Sequence, residues 1–93
     1  MAIALTAFAP SFSGVYTAAA GTVNSVTATL ISVTVGEAQP SMVILATPAE
    51  ALAAGVAMGQ AYCVTKGTVV IPFVNPTAGN VAVGDVAVKI VGL

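Results

Sequence analysis

The stretch Thr68–Val74, TVVIPFV, is apolar on both faces of an extended chain, and that restricts the folds open to it. Val69, Ile71 and Phe73 share one face, and Val70, Pro72 and Val74 share the other. Such a strand must be covered on both sides, by its own chain or by another. Pro72 removes one ladder donor, which predicts a sheet edge or a bulge rather than a central strand. Before the strand, Thr65-Lys66-Gly67-Thr68 places Gly67 where a tight hairpin turn needs positive φ, with Val56–Val64 as the other arm. After it, Asn75-Pro76-Thr77-Ala78-Gly79 stops the strand, Pro76 fixing φ and Gly79 freeing it.

The rest of the chain is arranged around this hairpin. Met1–Phe12 alternates imperfectly, with Ile3, Leu5 and Ala7 against Ala2, Ala4, Thr6 and Phe8, as a strand ending at Pro10 or as an arm lying on a neighbour. Ser11–Asn24 is rich in Ala, Gly, Ser and Thr, and its low bulk predicts mostly loop. Residues 1–24 therefore read as strand or arm plus loop, and 25–93 as a single β domain. In Ser25–Val35 the apolar phase switches at Leu30-Ile31, which predicts a bulge or a crossing between sheets. Ser41–Ala46 reads as a short core strand. Thr47-Pro48-Ala49-Glu50 has the order of an N-cap, a first-turn proline and a capping-box glutamate, predicting a short helical turn over 48–54 that Gly55 ends. Asn80–Leu93 is a last strand region with a turn or bulge at Gly84-Asp85. There Val86, Val88 and Ile90 oppose Ala87, Lys89 and Val91, and Lys89 is placed to shield an edge. Short strands with frequent turn signals predict an all-β chain, a small antiparallel β-sandwich or barrel-like domain.

Charge narrows the function. The 93 residues hold two basic and three acidic side chains and no histidine, where an ordinary soluble domain of this size carries about 23 charges. A folded monomer of 9.0 kDa exposes roughly 4,900 Å². Five charges on that surface leave apolar patches that call for cover by copies of the chain or by a partner. Too few cations are present to neutralise nucleic-acid phosphates or to hold anionic lipid. Met1–Gly36 is uncharged but is interrupted by Pro10, Ser11, Ser13, Gly14 and Thr17, so it predicts no spanning helix, and it lacks a basic leader region. Cys63, the one cysteine, reads as a small buried strand residue. Nucleophilic catalysis has no histidine base, and Glu37, Glu50 and Asp85 each fall in a turn or cap context. No glycine-rich phosphate loop or multi-cysteine metal motif occurs, so neither an enzyme nor a cofactor or metal is expected.

The segments Thr47-Pro48-Ala49, Ala51–Ala57 (ALAAGVA) and Gly67–Gly79 (GTVVIPFVNPTAG) carry a family likeness. Over Val43–Leu93 the chain resembles small capsid cement (decoration) proteins of tailed bacteriophages and related virion β modules. The resemblance implies a structural protein on the exterior of a phage capsid, made in the host cytoplasm. It implies a homo-oligomer, with a trimer favoured, whose other partner is the major capsid protein. Partner contacts are then expected from the N-terminal arm and the Asn-Pro loop, at Ile3, Leu5, Phe8, Phe12, Tyr16, Asn75, Pro76 and Thr77. Rival readings are a tail or head-fibre module, a small capsid subunit, or a β module that holds a ligand or glycan in a cleft.

Overall fold

The computed structural model describes residues 11–93 and contains six strands: β1 (Phe12–Val23), β2 (Thr27–Thr34), β3 (Ile44–Pro48), β4 (Ala57–Met58), β5 (Thr68–Asn75) and β6 (Val81–Gly92). They form two antiparallel three-stranded sheets, ordered β1-β6-β3 and β2-β5-β4. The inward faces of the two sheets meet in one apolar cluster. Its centre is Val69, Ile71 and Phe73 of β5 with Val86, Val88 and Ile90 of β6, nearly all fully buried. The period-2 pattern of both strands thus selects the face that goes inside. Cys63 is buried, its thiol 3.2 Å from the carbonyl of Thr65.

The hairpin forms as its turn residues predict. Gly67 has φ +84°, and the Thr68 N–H bonds back to the Thr65 carbonyl at 3.0 Å. Its first arm is mostly irregular: β4 pairs Ala57 with Val74 and Met58 with Phe73, and Tyr62 meets Val70 only after the register has moved by one residue. Pro72 lies in the central strand of its sheet, not at an edge or in a named bulge. It is tolerated there because its carbonyl accepts from Gly59 N–H at 2.8 Å, so the side lacking a donor faces β4 where that ladder breaks. A Cβ on Gly59 would stand only 3.3 Å from the Pro72 ring.

Four further expectations need correction. Ser11–Asn24 is not mostly loop, since β1 runs through it and pairs with β6 from Phe12 to Val23. Its small side chains give weak periodicity, but the β6 edge supplies a hydrogen-bonding partner along the strand, and Phe12, Ala18, Ala20 and Val23 go inward. The described part of residues 1–24 is therefore integral to the first sheet. The phase switch at Leu30-Ile31 is no bulge: β2 pairs with β5 in unbroken register from Thr27 to Thr34. Ile31 and Val33 point in, and Leu30 stays outside. No helix forms among the described residues, so the helical turn over 48–54 is absent. Pro48 ends β3, and the Ala49 N–H continues the ladder by donating to Ala87 at 2.8 Å. Lys89, finally, lies on the outward face of the central strand β6, between Val15 and Thr47, and shields no edge.

Irregularity in the first sheet falls where glycine allows it. Gly21 (φ +59°) faces Gly84 (φ +71°) across a register shift, which places the expected Gly84-Asp85 irregularity inside β6. At the far end of the same ladder Gly92 is required for space, because a Cβ there would lie 2.1 Å from a ring carbon of Phe12. Gly92→Ala should destabilise the protein by about 1–3 kcal/mol through overpacking. Urea unfolding of this variant and of Gly92→Ala/Phe12→Leu should show part of the loss recovered in the double variant.

Candidate partner-binding surface

The expected contact residues are not gathered into one site. Ile3, Leu5 and Phe8 lie outside the described residues. Phe12 is buried against Gly92, and Tyr16 points inward, half-buried, over the space left by Gly14. Asn75, Pro76 and Thr77 sit beside Val23 at the opposite end of β1, roughly 36 Å along the strand from Phe12. Two separate regions of the sandwich are involved.

At the second region, the carboxamide of Asn75 ties the two sheets together. The residue ends β5 and is fully buried. Its Nδ2 donates to the carbonyls of Val23, at the end of β1 in the other sheet, and Gly79, at 3.0 and 2.8 Å. Its Oδ1 accepts from the Thr77 backbone N–H at 3.0 Å and lies beside the Thr77 hydroxyl. Around this knot, the Ser25 hydroxyl donates to the Thr77 carbonyl at 2.6 Å, and the Ser25 N–H donates to Asn80 Oδ1 at 2.8 Å. Gly55 (φ +87°) presses on the loop so closely that a Cβ would lie 2.6 Å from Thr77 Cγ2. Asn75 thus builds the loop and has no free face for a partner. Pro76 is exposed, and Thr77 is partly so.

Exposed apolar surface lies instead on the outward faces of the sheets. On the second sheet, Leu30 (60% exposed) and Tyr62 flank half-buried Val70 and Pro72, with Val74 beyond. No charged residue lies on its strands. On the first sheet, Val15 (64% exposed) and Leu45 lie with Val91 on a face whose charges are Lys89 and Asp85. Val26, Val43 and Val64 add exposed apolar side chains in the connections. Glu37, Glu50 and Lys66 are exposed in loops. The outward apolar face of β5 is legible in the sequence as the second face of Thr68–Val74, and the interrupted alternation marks Leu30. The other apolar residues escape sequence reading because each occupies the phase or loop position where a polar side chain is the norm.

Among the described residues no cavity opens, and no group of three or more His, Cys, Asp or Glu residues is close enough to hold a metal ion. No helix among them is long and apolar enough to cross a membrane. Every buried side-chain polar atom among them has a hydrogen-bond partner. The chain matches no protein-family model, no curated protein and no solved structure.

Asn75→Ala would leave the Val23 and Gly79 carbonyls and the Thr77 N–H without that partner. Chemical denaturation should show a loss of roughly 2–4 kcal/mol, since each unsatisfied buried group costs about 1–3 kcal/mol. Asn75→Asp would aim a carboxylate at the same two carbonyls, so folding would raise its pKa. The folded state would then hold that proton more tightly than the unfolded chain. The stability of this variant should fall as pH rises from about 4, and fall more than that of the parent protein.

Proposed function

We propose that the protein is a non-enzymatic structural subunit that associates through its outward apolar faces, and that its role is that of a capsid cement protein on the exterior of a phage head. The observation that carries association is the second sheet's outward face, where Leu30, Tyr62, Val70, Pro72 and Val74 lie with no charge on the strands. Surfaces of this kind are covered in working proteins, because contiguous apolar patches favour contact with other protein. The likeness of Val43–Leu93 to decoration proteins supplies the partner in this reading, the major capsid protein. A small sandwich with two outward faces suits a clamp between neighbouring shell subunits, since one face can meet a copy while the other meets the shell. The rival virion roles share this surface and differ in what it meets.

Two measurements test the reading. Light scattering over a dilution series should give a mass above that of one chain, and a persistent monomer would remove the argument from covered surface. Purified protein should then co-sediment with capsid shells of the phage that encodes it. Val15→Asp/Leu45→Asp, which charges the first sheet's outward face, should weaken that binding by at least tenfold without unfolding the protein. Sedimentation with isolated tails instead of shells would assign it to the tail.

A further inference from the structure

The four sheet edges differ in how they end. β4 contributes two residues. β3 is five residues long, closes on Pro48, and has the outward Ile44 carbonyl capped by Gln60 Nε2 at 3.0 Å. β1 carries the register shift at Gly21. These are recognised ways of blunting an edge. β2 has none of them: Thr27–Thr34 runs eight residues in unbroken register with β5, without charge, proline or glycine.

The direction of its free groups follows from the ladder. The Val35 N–H bonds to Gly67 in line with β5, so the alternate residues Val33, Ile31 and Thr29 turn their backbone groups the same way. Leu30 faces Pro72, which has no N–H to give, consistent with a position that makes no bond to β5. Ala28, Leu30, Ser32 and Thr34 therefore aim their N–H and C=O groups away from the sheet, where they meet no backbone partner among the described residues.

We propose that this edge pairs with the same edge of a second copy, antiparallel about a two-fold axis at Ile31. With Ile31 opposite its own copy, Ala28 meets Thr34 and Leu30 meets Ser32, so all the outward groups of both strands are paired. A charged strand would set like charges near each other across such an axis, and β2 has no charge to oppose. Ile31 belongs to the inward face yet is only half-buried because its flank is open. Across the axis it would pack on its equivalent, and the two Leu30 side chains would extend one apolar face over both copies. The contact is isologous and closes on itself. It stands apart from the capsid reading and needs no shell. It forms a pair, unlike the trimer that the resemblance implies.

The geometry also gives a selective test. Leu30→Pro removes an N–H that β5 does not use, so it should keep the fold by circular dichroism and halve the mass seen in sedimentation equilibrium. Leu30→Lys, which sets two ammonium groups near the axis, should dissociate the pair at low salt and restore it at high salt. In a Cys63→Ser background, Ile31→Cys should oxidise to a covalent dimer, since directly opposed residues of this kind have Cα atoms about 4.5 Å apart, within disulfide range. Ser13→Cys, on the outward face of the first sheet, should not cross-link. A mass that is unchanged in both Leu30 variants, with no cross-link at Ile31, would overturn the proposal. That result would leave the edge to the chain's own residues 1–10 or to another protein. Failure to bind shells, with the cross-link present, would remove the capsid reading and leave this contact standing.

Discussion

The buried carboxamide of Asn75 is the interaction on which the sandwich most depends. It bonds across the sheets to Val23, and within its own loop to Gly79 and Thr77. An apolar side chain at that position would fill the space but leave the Val23 carbonyl and the Thr77 N–H without this partner, the Gly79 carbonyl keeping only the Thr77 hydroxyl at 3.0 Å. The Asn75 amide uses both donors and its acceptor there, a match that few side chains of that size can make. Pro76 then limits the loop's freedom, and Gly55 lets the neighbouring turn close on Thr77. The strand that ends at Asn75 is in turn the centre of the second sheet, so fixing its end fixes the spacing of the layers around Phe73 and Ile71.

Much of this fold can be read from the chain where period and turn chemistry agree. Val86, Val88 and Ile90 declare an inward face, and Gly67 and Gly84 take the positive φ that their contexts demand. The misreadings share a cause: a partner distant in sequence outweighed a local signal. Thr47-Pro48-Ala49-Glu50 carries helix-start residues, but the β6 ladder takes the Ala49 N–H. Ser11–Asn24 lacks a bulky alternating pattern and becomes a strand because β6 offers a complementary edge. The exposed apolar surface was less legible still. Exposed Val15, Leu45 and Tyr62 look like ordinary strand residues until the sheet order shows which way each one points.

The outward surfaces make sense as a division of labour within a small domain. The inward faces use Phe, Ile and Val to hold the layers, while the outward faces retain exposed apolar side chains at Val15, Leu30, Leu45 and Tyr62. Hydroxyls of Thr17, Thr27, Ser32 and Thr34 are interspersed on exposed positions and maintain contact with water without setting a charge pattern. A surface of this type sets weak electrostatic limits on its partners. Any selectivity in the association proposed above would therefore come from shape and from backbone pairing.

The pairing of β1 with β6 has a consequence during synthesis. The strand made early must wait for the last one before the first sheet can exist, whereas β2 and β5 can meet sooner around the shorter span between them. At ordinary translation rates of about 5–20 residues per second, the chain spends seconds with Phe12, Ala18 and Val23 lacking their final cover. A nascent chain with so little charge has weak protection from its neighbours over that interval. Crowding of chains on one message would place several such unfinished sheets side by side. Unfinished sheets held that close together favour association between chains over folding within one.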